Sequence, residues 1–109
     1  IATERGAVTP VRLEQRIETL DGVRAAAVVG VGPRGVQQIV AVVETDTKRP
    51  RLADLELVDA VRAVAGDAVV AVLEGGAIPV DRRHNSKIDR SRLAEWANDV
   101  LAGGRLRTP

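Results

Sequence analysis

The sequence predicts an α+β domain, in which a small, mostly antiparallel, three-stranded sheet is packed with about three helices. Three observations carry this reading. Apolar residues recur at helical spacing in three stretches, three others are β-branched runs of strand length, and Gly, Pro or Asp stands between them. At 109 residues the chain fits one domain, 1–109, and a domain of that size buries about two-thirds of its unfolded surface. Phe, Tyr, Met and Cys are absent and Trp96 is the one aromatic residue, so Val, Leu, Ile and Ala must build the core.

The elements follow in order. Thr9-Pro10 reads as a helix start, because Thr can cap the first amides and Pro at the first helical position loses no needed donor. Leu13, Ile17 and Leu20 then form one apolar stripe, and Asp21-Gly22 stops it. Val23 to Val31 and Val36 to Glu44 read as two strands joined closely enough for a hairpin. Their connection contains Gly30, Gly32 and Gly35 in the spacing of a dinucleotide fingerprint. That fingerprint needs a helix to begin within it; here Pro33 interrupts it and a strand follows, so the glycines are assigned to the turn.

Thr45 to Arg51 reads as a basic loop. Leu55, Val58, Val61, Val64 and Ala65 then mark a second helix over 52–65, with Gly66 as a left-handed stop. Ala68 to Leu73 is a third strand, and Glu74-Gly75-Gly76 a turn. A last helix has Ser91 as its N-cap and Leu93, Trp96, Ala97, Val100 and Leu101 on its buried face, and it ends at Gly103-Gly104. Any sheet face that the helices leave bare would mark a docking surface or a dimer contact.

Composition excludes several classes. Sixteen cations are nearly matched by fifteen acids, for a formal charge of +1, whereas a sequence-independent DNA binder carries a clear positive balance. Without aromatic platforms, base stacking is unavailable too. Local clusters at Lys48-Arg49-Pro50-Arg51 and Arg82-Arg83 are the available phosphate contacts. The absence of cysteine removes disulfides and thiolate metal sites, and His84 alone cannot build a zinc site, so no metal site is expected. No apolar run approaches the roughly eighteen residues that span a bilayer, no signal pattern opens the chain, and a soluble cytoplasmic protein is expected.

The segment with most chemical content is Ile78-Pro79-Val80-Asp81-Arg82-Arg83-His84-Asn85-Ser86-Lys87-Ile88-Asp89-Arg90, which gathers cations around one lysine just before a helix signal. Two readings stand on the residues alone: a solvated basic loop, or an anion site in which a lysine on a flexible stem reaches a phosphate or carboxylate.

Pro79, Lys87 and Arg90 resemble the C-terminal lysine motif of the adenylate-forming superfamily, which comprises acyl-CoA synthetases, luciferases and peptide-synthetase adenylation domains. Ser86 replaces the usual glycine, and the Pro-to-Lys interval is two residues longer than usual. This variant is similar to the β-lactone synthetase branch, which acts in bacterial olefin and β-lactone biosynthesis. The runs Gly22 to Gly32 and Gln38 to Glu44 resemble the paired strands that open the superfamily's small C-terminal domain, and Ile1 to Val11 is similar to the segment just after its hinge. The chain has no Ser/Thr/Gly-rich phosphate loop and no large nucleotide-binding domain, so the resemblance implies a detached C-terminal lid, and the start at Ile1 fits a processed or proteolytic piece.

The resemblance implies that Lys87 is catalytic, contacting the substrate carboxylate and the α-phosphate as the acyl-adenylate forms. Arg90 either orients the segment through an acid such as Asp81, Asp89 or Glu95 or contacts a carboxylate directly. Asp81 and Asn85 would shape the segment through local backbone hydrogen bonds, with Ser86 standing in the glycine position. Arg82 and Arg83 either meet nucleotide phosphates or acids of the large domain or stand as exposed surface arginines. His84 is either an acid/base group or a structural contact. The implied co-substrate is ATP with Mg²⁺ held mainly by the large domain, CoA being an option for the second step, and the implied substrate is a fatty or β-hydroxy fatty acid. Two rivals from other classes are a non-catalytic docking module with a basic loop and a fragment that binds a nucleotide unaided.

Overall fold

The computed structural model describes residues 2–3, 6–7, 9–33, 36–46, 50–75, 78 and 90–103. Two short strands, β1 (Ala2–Thr3) and β2 (Gly6–Ala7), pair antiparallel ahead of the main body. Then come α1 (Pro10–Ile17), β3 (Ala25–Val31), β4 (Gln38–Glu44), β5 (Arg51–Leu52), α2 (Leu55–Ala65), β6 (Val69–Gly75) and α3 (Arg90–Leu101). The main sheet has the order β3-β4-β6-β5. It therefore has four strands where three were expected, and it is mixed. β3 and β4 form the expected antiparallel hairpin, with no helix after the glycines, but β4 and β6 run parallel and β5 returns antiparallel to β6. A parallel neighbour requires a crossover of a dozen or more residues, which α2 supplies.

The two strands of the hairpin read as nearly unbroken apolar runs because both faces of this sheet are covered. Ala26, Val28, Ile39, Ala41 and Val43 face α1 and α2, where they meet Ile17, Val61 and Ala65. The alternate residues Ala27, Val29, Val40 and Val42 face α3, where they meet Leu93, Trp96, Ala97 and Val100. The helices thus lie in two layers, and neither face of the hairpin is left bare. Between Ile39 and Val40 the pairing with β6 slips by one residue, leaving Val70 as the extra residue of a bulge and exposed.

The helix ends show which local signals the fold uses. Thr9 makes no side-chain cap, so α1 relies on Pro10 at its start. The residues from Thr19 to Val23 turn towards β3 instead of extending either element. α2 begins three residues later than the apolar spacing suggested, because Asp54 caps it by accepting a hydrogen bond from the Leu57 amide at 2.9 Å. Asp54→Ala should lower stability by about 1 kcal/mol in chemical denaturation, with the slope of the transition unchanged. Gly66 ends α2 at φ 106° and ψ 162°. That is a glycine-only conformation, not the expected left-handed one, and it sends the chain straight into β6. α3 starts at Arg90, so Ser91 lies inside the helix and is not its cap, and Leu101 is exposed where burial was expected.

Candidate functional site

Pro79, Asp81, Arg82, Arg83, His84, Asn85, Ser86 and Lys87 lie outside the described residues. The structure does describe both ends of the segment that carries them, Ile78 and Arg90. Each end is held by a carboxylate.

Glu14 lies on α1 and is only 5% exposed. Its Oε2 accepts a hydrogen bond from the Val28 backbone amide at 2.7 Å, and its Oε1 accepts one from Nη2 of Arg90 at 2.5 Å. A carboxylate so far removed from water needs such partners to offset its lost hydration, and these are a cation and a backbone donor. Because α1 and α3 cover opposite faces of the sheet, the Arg90–Glu14 pair reaches around the outer edge of β3 and ties the two layers together. Nε of Arg90 is shielded from solvent and meets no acceptor among the described residues. The described acid partner of Arg90 is therefore Glu14; of the acids expected from the sequence, Asp81 and Asp89 lie outside the described residues.

At the other end, the Ile78 amide donates to Oε1 of Glu44 at 3.1 Å. Glu44 is the last residue of the central strand β4. The Ile78 side chain packs against the core cluster on the α3 side of the sheet.

Sequence reasoning missed Glu14 and Glu44. Glu14 borders the Leu13–Ile17 stripe, three residues before Ile17 on the same helical face, and this position is the one signal that could have found it. Glu44 closes a strand whose even-numbered residues, Val40 and Val42, point towards α3, so period-two alternation carries its side chain to that same face.

A second polar cluster sits on the α2 face. A shallow pocket of about 280 Å³ is lined by residues including Asp21, Thr45, Asp46, Arg51, Leu57 and Glu74. Nε of Arg51 donates to Oε2 of the buried Glu74 at 2.7 Å, and the Thr45 hydroxyl donates to Oε1 at 3.2 Å. The hydrogen bond to Glu74 and its negative charge push the pKa of Arg51 above its ordinary value. Arg51, one of the cations offered above as a phosphate contact, is thus engaged by an internal acid. Arg24 pairs with Asp46 at the exposed surface. Among the described residues there is no group of three or more His, Cys, Asp or Glu arranged to hold a metal ion, and no helix long and apolar enough to cross a membrane.

No family model matches the chain. It is 35% identical over 104 residues to the olefin beta-lactone synthetase of Stenotrophomonas maltophilia, a match that covers 93% of this chain and 19% of that protein. Such a match is too long to leave out the segment from Pro79 to Arg90, wherever it begins. Among solved structures, the amide bond synthetase McbA of Marinactinospora thermotolerans is 30% identical with a TM-score of 0.65, over 88% of this chain and 19% of that one. ATP-bound MatB from Rhodopseudomonas palustris shares the fold at 19% identity and a TM-score of 0.71, over 92% and 20%. The chain spans about a fifth of the length of the relatives it matches. With the fold shared and the lysine segment inside the matched stretch, the chain is similar to one domain of these AMP-forming ligases and synthetases.

Proposed function

We propose that this chain is the mobile C-terminal domain of an ATP-dependent ligase that activates a fatty or β-hydroxy fatty acid as its acyl-adenylate. The observation that carries the proposal is the 35% identity to an olefin beta-lactone synthetase across 93% of the chain, with Pro79, Lys87 and Arg90 in motif positions. In the first step a carboxylate oxygen attacks the α-phosphorus of ATP, the bond to the β-phosphate oxygen breaks, and pyrophosphate leaves. Both reactants are anionic, so attack brings like charges together unless a cation lies between them. Lys87 supplies that cation. A small domain that turns between two poses can bring Lys87 in for adenylation and withdraw it for the second step.

The second step is β-lactone closure, in which the β-hydroxyl oxygen attacks the acyl carbon, its proton is lost and AMP departs. The large domain contributes most of the ATP site and the Mg²⁺ that accompanies the phosphates, and the isolated chain is inactive. The reaction belongs in the cytoplasm, where ATP is supplied.

The test uses the full-length parent enzyme with ATP, Mg²⁺ and a panel of fatty and β-hydroxy fatty acids. Pyrophosphate release with both kinds of acid, and a lactone from the β-hydroxy acids without CoA, is the expected result. Release followed by a thioester only when CoA is present would make the enzyme an acyl-CoA ligase. No release with any acid would leave the docking-module reading in its place.

A further inference from the structure

We infer that Glu14 and Glu44 are positioning residues for Lys87, fixing the two feet of the segment 79–89 to the sheet. The inference rests on the proposed role of Lys87. A cation that stabilises a transition state must arrive with its backbone at a defined place, and a misplacement of about 1 Å can cost a hundredfold in rate. The structure provides the fixed points. One foot, Ile78, is bonded through its backbone to the carboxylate that ends the central strand, and its side chain sits in the α3-side cluster. The other foot, Arg90, opens α3 three residues after Lys87 and is bonded to Glu14.

The two carboxylates work differently. The described donor to Glu44 is one neutral amide, so any side chain with an acceptor at that position serves. Glu14 serves two donors at once, the Arg90 guanidinium and the Val28 amide, one on each oxygen. Glutamine has a single acceptor oxygen and would turn an NH₂ group towards one of them. The described side-chain bond of Arg90 goes to Glu14, and its Nε is buried without an acceptor among the described residues. Loss of the Glu14 charge therefore frees the stem of the lysine segment, whereas loss of the Glu44 charge alone does not.

Glu14→Gln, Glu44→Ala, Glu44→Gln and Lys87→Ala are compared in the full-length parent enzyme. The readouts are steady-state pyrophosphate release, conversion of preformed acyl-adenylate, and thermal unfolding. Glu14→Gln and Glu44→Ala are expected to lower kcat for adenylation by about ten- to a hundredfold. KM for ATP and acid and the conversion of acyl-adenylate should stay unchanged, and Glu44→Gln should restore the wild-type rate.

Equal losses in both half-reactions together with a lower melting temperature would make the carboxylates merely structural and overturn the inference. Wild-type adenylation in Glu14→Gln beside an inactive Lys87→Ala would overturn it while leaving the lysine assignment standing. Full adenylation by Lys87→Ala would remove the lysine from the chemistry, and the positioning role with it.

Discussion

Lys87→Ala in the full-length parent enzyme is expected to slow pyrophosphate release by about a hundred- to a thousandfold while preformed acyl-adenylate is still converted. Removing one preorganised donor aimed at developing charge costs about 2.7–4 kcal/mol in the transition state, which sets that range. The loss should appear in kcat, because in the proposed role Lys87 meets the phosphate mainly as charge builds. Arginine is a poor substitute, since its planar fork places charge differently from a compact ammonium; Lys87→Arg should recover only a small part of the rate. Rates measured for the two half-reactions separately check the prediction. A uniform loss in both would point to misfolding.

Trp96→Ala should lower stability by about 3–5 kcal/mol. Trp96 is 4% exposed at the centre of the α3 layer, among Leu93, Ala97, Val100 and the sheet residues Val29, Val40 and Val42. No other aromatic side chain exists to fill the space, and the surrounding aliphatic residues are held by the sheet and by α3 itself, so the cavity cannot collapse without moving α3. Domains have only about 5–15 kcal/mol of stability in all. The variant should therefore unfold at a much lower denaturant midpoint, read by circular dichroism because the fluorophore itself is lost. Trp96→Phe should cost distinctly less.

The helices and the longer strands were legible because each buries a face, and burial writes a period of 3.6 or 2 into the sequence. Leu13 and Ile17, Val61 and Ala65, and Leu93, Trp96, Ala97 and Val100 all lie where their spacing placed them. β5 was not legible, since two residues cannot show a period, and Arg51 beside Pro50 imitates a loop. Nor could the parallel pairing of β4 with β6 be read, because a strand's own pattern says that it is covered on both faces and not which strand lies beside it. The lysine segment was legible only as an expected chemistry, its residues 79–89 lying outside the described residues. Its anchors were not: a buried glutamate and a surface glutamate are the same letter, and the contact of Glu14 with Arg90 spans seventy-six positions of sequence. Asp54 was missed for a smaller reason, as the apolar spacing drew attention to the leucines on either side of it.

The Glu14 carboxylate on the Val28 amide also bears on how this domain behaves in company. β3 is the outermost strand on one side of the sheet, and a seven-residue apolar border strand is a template on which other chains can add. Glu14 occupies a donor in the middle of that border and places a negative charge against it, while the opposite border is only two residues long and exposes Arg51. The sheet is thereby guarded against recruiting stray strands, and neutralising Glu14 would remove the guard from the longer side.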